Sequence, residues 1–153
     1  MRFRARAVQQ VVSHCKTACR PNRRGRSMIY AGGCHCGAIK FEVDAPQDIE
    51  AEYCNCSVCR MTGFLHLIVP RSKFKLLLGS EFITTYQFNT GVAKHQFCKV
   101  CGIKSFYIPR SNPDGVDVNV RCLSTQPRAL KVIPFDAQNW EANAHTVAHK
   151  SHA

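Results

Sequence analysis

The chain predicts a mainly β domain tied together by metal, with short helical turns and one short C-terminal helix. Three observations predict it. From Tyr30 onward, short runs of alternating apolar and polar residues are cut by turn residues. Seven of the ten cysteines fall into three tight clusters, Cys34-His-Cys36, Cys54-Asn-Cys56-Ser-Val-Cys59 and Cys98-Lys-Val-Cys101-Gly102. The 153 residues, 45% of them hydrophobic, suit a single core. No apolar run approaches the roughly 18 residues that a bilayer span needs.

Taken in order, Ile39 to Val43 alternates as a half-buried strand and Asp44-Ala45-Pro46 is expected to end it. Further strands are expected at Ile49 to Tyr53, Phe64 to Val69, Phe74 to Leu78, Ile83 to Phe88, His95 to Cys98, Ser105 to Ile108, Val116 to Val120 and Lys131 to Phe135. Pro70, Gly79-Ser80, Asn89-Thr90-Gly91 and the stretch from Pro109 to Gly115 mark the turns between them. Helix is expected in a turn after Ser57 and from Ala137 to Ala144, with Asp136 as N-cap. The chain divides into a basic segment at 1–27, a zinc domain at 28–144 and a loose tail at 145–153.

Charge supports that division. Of the net +11, residues 1–27 contribute +8, with seven Arg, one Lys and no acid, whereas 28–153 hold 13 basic and 10 acidic residues. The domain itself therefore carries no strong electrostatic footprint for nucleic acid, and only the basic segment suits chromatin or another acidic partner. Three readings fit that segment: a disordered arm, a cleavable mitochondrial presequence, or an extension ahead of a start at Met28. It has no apolar region of secretory type, so the cytoplasm or nucleus is the expected compartment, with mitochondria the outcome of a presequence. Cys15 and Cys19 within it read as incidental thiols.

In such a reducing compartment, clustered cysteines point to metal or redox chemistry rather than to a disulfide framework. Thiolates are soft donors that select zinc or an iron–sulfur centre, and zinc is the default. A Cys-x-x-Cys turn aims two sulfurs at one ion, and alternate residues of a strand share a face, so Cys34 and Cys36 can also serve one site. Spacing alone allows two partitions. Either Cys56/Cys59 pair with Cys98/Cys101 as a zinc ribbon, or Cys34/Cys36 pair with Cys98/Cys101 and leave Cys54, Cys56 and Cys59 as a compact three-thiolate site. Locality favours the second, because one loop presents all three remaining ligands.

Gly33-Cys-His-Cys-Gly37, Cys54-Asn-Cys-Ser-Val-Cys-Arg60, Phe97-Cys-Lys-Val-Cys-Gly102 and Asn139-Trp-Glu141 resemble the family of glutathione-dependent formaldehyde-activating enzymes and centromere protein V. The stretches Phe82–Asn89 and Ser105–Pro113 are similar to the centromere protein V branch in particular. The resemblance covers about residues 30 to 142 and implies a zinc-stabilised Mss4-like β fold with two zinc ions. It implies that Cys34, Cys36, Cys98 and Cys101 hold a structural zinc, and that Cys54, Cys56 and Cys59 hold a catalytic one. Cys122-Leu123-Ser124 departs from the glycine and acid that flank this leucine in many bacterial members.

A three-thiolate zinc with an open position binds a thiol and holds it ionised, or polarises a carbonyl. The expected activity is a carbon–sulfur lyase acting on a small thiol–aldehyde adduct of glutathione type, such as S-hydroxymethylglutathione. The alternative is a non-catalytic zinc-folded interaction module of centromere protein V type. Arg60, Lys99 and Lys104 lie near the clusters in sequence and are candidates to offset thiolate charge. His35 reads as a non-ligand between two ligands, His66 and His95 as hydrogen-bonded strand residues, and Cys122 as a small buried residue. Arg110 reads as a solvated turn residue with carboxylate binding as the sharper alternative, and Trp140 as packing for the terminal helix.

Overall fold

Alternation in Lys40–Pro46 drives Phe41, Val43 and Ala45 to one side of a strand and leaves polar residues on the other. A computed structural model describes residues 26–152. This strand, β2, pairs antiparallel with β1 (Ser27–Gly33) and β5 (Phe74–Leu78). Its last residue is Pro46, opposite Ser27, so the expected stop at residues 44–46 is in fact the end of the ladder. A proline is tolerated there because the ladder needs no donor beyond it.

A second sheet of five strands has the order β10-β3-β4-β9-β8, built from β3 (Asp48–Cys54), β4 (Leu65–Pro70), β8 (Phe106–Tyr107), β9 (Gly115–Asn119) and β10 (Ala129–Phe135). All its pairs are antiparallel except β10 with β3. A separate ribbon joins β6 (Ile83–Tyr86) to β7 (His95–Cys98). Among the described residues the one α-helix before the C-terminal region is α1 (Ser57–Thr62), in the expected turn after Ser57. The mainly β class is thus met, although β1 precedes the first strand expected, Ile39 to Val43, and β8 is shorter than expected.

The pleat of the five-stranded sheet decides where everything else lies. Ile49, Ala51, Leu65, Leu67, Val69, Phe106, Val116 and Val118 join Tyr30, Ile39, Phe41 and Val43 in one apolar core between the sheets. Within it Phe41, Phe74 and Phe106 pack with ring centroids 4.8–5.8 Å apart. The intervening residues of the same strands, Glu52, Cys54, His66, Ile68, Tyr107 and Asp117, line a cavity on the other face. Because side chains alternate with period two, one register assigns a whole set of residues to the core and its complement to the cavity.

The C-terminal expectations need correcting. Helix begins at Trp140, not Ala137: α2 spans Trp140–Asn143, with Asn139 rather than Asp136 at the N-cap. Asp136 instead accepts bonds from the Gln138 N–H at 3.2 Å and the Asn139 amide at 2.6 Å, which hold residues 136–139 in a turn. The segment expected to be loose forms α3 (His145–Ala148) and a 3₁₀ turn at His149–Ser151. Val147 and Ser151 are buried, and the Asn112 amide donates to the carbonyls of Val147 and Ala148 at 3.2 and 2.9 Å. A short polar segment gives little periodic signal, and a single buried asparagine from another part of the chain orders it. Among the described residues no helix is long and apolar enough to cross a membrane. Cys15, Cys19 and nearly all of the basic segment lie outside the described residues.

Candidate metal centres and the cavity

β1 leads into Cys34, and β7 ends on Cys98, so the two distant cysteine turns meet at one place. The Gly37 N–H donates to the Cys34 carbonyl at 3.1 Å and the Gly102 N–H to the Cys98 carbonyl at 2.8 Å, each glycine at a φ near +75° that a side chain would strain. All four sulfurs of Cys34, Cys36, Cys98 and Cys101 lie within 4.8 Å of one another, with Cys36 at 3.5 Å from Cys34 and 3.7 Å from Cys98. A tetrahedral zinc with Zn–S bonds of about 2.3 Å needs sulfurs about 3.8 Å apart, so this quartet fits the ion. Protons are unevenly shared. A backbone N–H favours the Cys36 thiolate, but burial and the neighbouring thiols outweigh it and push the thiol up to about 12. Burial opposes ionisation of Cys101, yet backbone N–H groups and the thiols of Cys36 and Cys98 bring it down to about 6. His35 is exposed between its ligand-like neighbours.

The remaining trio comes from one turn. β3 delivers Cys54, Cys56 is the N-cap of α1 and Cys59 sits inside that helix, with the three sulfurs within 4.8 Å. The Cys56 sulfur accepts from the Cys59 N–H at 3.5 Å, and the Cys54 sulfur from the Cys56 N–H at 3.5 Å. The Cys54 and Cys59 thiols, helped by backbone N–H groups of Cys59 and Val58, pull Cys56 down to about 2 against the effect of burial. Hydrogen bonding to that thiolate pushes Cys54 up to about 11, and the bonds from Cys54 and Cys56 push Cys59 up as well. Three soft donors already arranged around a shared thiolate fit a zinc ion with one position left over.

Asn55 fixes this turn to the rest of the domain. Its amide donates to Asp136 Oδ1 at 2.7 Å, while its Oδ1 accepts from the N–H groups of Ala137 and Gln138 at 2.9 and 3.2 Å. That bond to Asn55 and a second to Asn139 hold the Asp136 carboxyl below its ordinary value. The sequence reading missed Asn55, since an asparagine between two cysteines looks like a spacer.

The trio opens onto a cavity of about 320 Å³. On its floor, His66 Nδ1 lies 2.6 Å from Asp117 Oδ2, both residues being buried. Asp117 was also missed; its signal is a charged residue flanked by valines in a strand that is buried on both faces. His66 Nε2, Asp117 Oδ1 and Glu52 Oε2 are buried with no partner among the described residues, although Glu52 Oε1 meets Lys150. Such unpartnered polar atoms are costly unless something else satisfies them.

Of the three sequence-neighbouring cations, Lys104 is the buried one. Its ammonium sits 2.9 Å from His95 Nδ1 and 3.6 Å from the Tyr107 ring centre. Burial lowers its pKa, and the charges of Cys59, Asp117, Cys56 and Cys54 counter that. Burial, then the Lys104 charge, pushes His95 down to about 4, so His95 is a neutral acceptor. Burial likewise raises Tyr107 and keeps it a phenol. Arg60 is exposed, and Lys99 lies 5.6 Å over the Phe82 ring.

Arg110 is not simply a solvated turn residue: it stacks 4.7 Å over Trp140 beside the cavity and reaches Glu141 at 3.4 Å. Trp140 packs edge-on against Phe135, 6.3 Å away, and forms part of the cavity wall. Cys122 is half-buried rather than fully buried, and burial pushes its thiol up to about 11.

The family model described as glutathione-dependent formaldehyde-activating enzyme matches residues 29–142. A Halomonas elongata protein, named by inference as a glutathione-dependent formaldehyde-activating enzyme, is 30% identical over 82 residues, covering 48% of this chain and 52% of that protein. The chain thus spans about half the length of that curated relative. A crystal structure of a Rhodobacter sphaeroides protein is similar with a TM-score of 0.60 and 38% identity, covering 67% of this chain and 99% of the other.

Proposed function

The chain belongs to the family of glutathione-dependent formaldehyde-activating enzymes, and from that premise we propose that it is a zinc-binding carbon–sulfur lyase. Its substrate on this reading is a small thiol–aldehyde adduct such as S-hydroxymethylglutathione. One observation carries the proposal: three thiols from a single turn border a cavity, while four others gather in a cluster that does not line it. Cys34, Cys36, Cys98 and Cys101 would hold a structural zinc and Cys54, Cys56 and Cys59 a reactive one, giving two ions per chain. When bound to the trio, zinc supplies positive charge that keeps a thiol ionised and polarises an aldehyde oxygen. The protein's own contribution is positional. Asn55 fixes the trio, Lys104 sets a buried positive charge near it, and Arg110 with Trp140 offers the mouth of the cavity a cationic and an aromatic contact for a peptide-like thiol.

Metal-loaded protein given glutathione and formaldehyde, or their adduct, tests the reading. Turnover is expected from the wild type and a loss of at least about 10³-fold from Cys56→Ser, with bound zinc falling from two per chain to one. Equal rates for the two proteins overturn it. A second reading, an interaction module of centromere protein V type, rests on the +8 charge of residues 1–27. Deleting those residues would then abolish binding to an acidic partner and leave turnover unchanged.

A further inference from the structure

We propose that His66 is the proton-transferring residue of this cavity and that Asp117 is the positioning residue that sets its tautomer; the inference rests on the thiol-adduct reading above. The dyad comes from the register. His66 lies opposite Glu52 on β3 and Asn119 on β9, which places Asp117 on the diagonal, two residues along β9 on the same face. At 2.6 Å His66 Nδ1 and Asp117 Oδ2 share one hydrogen bond; an ionised carboxylate can only accept, so on this assignment the ring donates from Nδ1. A neutral ring with its proton on Nδ1 leaves the lone pair on Nε2. That nitrogen is buried and has no partner among the described residues, and His66 lines the same cavity as Cys54, Cys56 and Cys59.

The other groups of the cavity are less suited to the task. His95 Nδ1 is occupied by the Lys104 ammonium, and its ring lies stacked on Tyr107 with centroids 5.1 Å apart. Glu52 is paired with Lys150, and burial keeps Tyr107 protonated. His66 lies outside the group of three sulfurs that sit within 4.8 Å of one another.

The step balances. In an adduct R–S–CH₂–OH, Nε2 accepts the hydroxyl proton, the O–H electron pair becomes the second bond of the C=O group, and the C–S pair leaves on sulfur as thiolate. Formaldehyde, thiolate and imidazolium are the products. In the reverse direction the thiolate adds to the carbonyl carbon and imidazolium returns the proton to oxygen. Asp117, ionised beside the ring, stabilises the imidazolium without itself taking the proton.

Three measurements on the full-length, zinc-loaded protein test the assignment. First, ¹⁵N NMR of the wild type should show His66 protonated at Nδ1 and bare at Nε2; the opposite tautomer overturns the inference whatever the substrate. Second, His66→Gln should lose about 10²–10⁴-fold in kcat with KM and zinc content near wild type. Wild-type kcat in His66→Gln, or a loss that tracks lost zinc, overturns the inference while leaving the lyase reading intact. Third, added imidazole should restore part of the turnover of His66→Gly, and Asp117→Asn should lower kcat while retaining zinc. Absence of rescue in a folded, zinc-replete His66→Gly counts against the inference. A wild type no more active than Cys56→Ser overturns the lyase reading instead.

Discussion

The quartet and the trio are built from the same donor atom and differ in almost everything around it. Cys34 and Cys98 are members of the apolar core, arrive from residues 64 apart in sequence, and close a site by joining two turns. Cys54, Cys56 and Cys59 arrive from one turn, bring no distant segments together, and border a cavity with buried polar atoms that the protein leaves unpaired. A metal that crosslinks distant segments contributes to folding, whereas one held by a single turn beside a cavity has little fold to hold and has room for a ligand. Donor chemistry is therefore equal at the two places, and the proposed division of work rests on their surroundings.

The sharpest way to break that contrast is to damage the quartet. Structural zinc sites contribute on the order of 10 kcal/mol, comparable to the whole stability of a small domain. Cys98→Ser should therefore fail to give a cooperatively folded protein, measured by circular dichroism and thermal melting, whereas Cys56→Ser should melt cooperatively within several degrees of the wild type. Similar melting of the two variants would remove the distinction.

A smaller effect tests whether Lys104 belongs to the trio. Lys104→Met deletes the buried cation while retaining much of its volume. Zinc affinity at the second site, measured by chelator competition, should weaken about tenfold, equivalent to about 1.4 kcal/mol. The quartet's ion should remain tightly held. Unchanged second-site affinity would mean that the thiolate charge is compensated elsewhere.

The smallest effect is a control remote from both clusters. Arg128 Nε donates to Asp48 Oδ1 at 2.7 Å, tying the starts of β10 and β3, and this bond depresses the Asp48 pKa below its ordinary 3.8. A depressed carboxyl pKa contributes stability above its unfolded value and loses it as pH falls through the folded one. Arg128→Ala should lower the melting temperature slightly near neutral pH, equally with and without the second ion. The difference should vanish well below pH 3.8, as a melting series against pH would show.

Much of the site was legible because clustered cysteines leave local marks. Cys-x-Cys-Gly and Cys-x-x-Cys-Gly announce turns, and locality separated Cys54, Cys56 and Cys59 from the other four. Strand positions were legible for the same reason, since alternation is a property of neighbours. Asp117, Glu52 and Asn55 were not legible. A glutamate near a strand end and an asparagine between cysteines have no local pattern that tells a cavity from solvent, and an aspartate between valines is a signal only once both faces of β9 are known to be buried. The C-terminal segment was misread because its order comes from Asn112 and Lys150 contacts rather than from its own periodicity.

The sequence by itself determined the mainly β class, the cysteine turns and the concentration of charge in residues 1–27, each of which depends on spacing or composition along the chain. Locality along the chain favoured one of two groupings of the thiols and tertiary structure selected it; tertiary structure alone decided which face of the five-stranded sheet becomes the cavity floor, and that His66 meets Asp117. Those outcomes follow from strand order and register. A shift of one residue would carry Glu52, His66 and Asp117 into the core and turn Leu65, Leu67 and Val118 outward, and only burial of the apolar set against β1 and β2 fixes the choice.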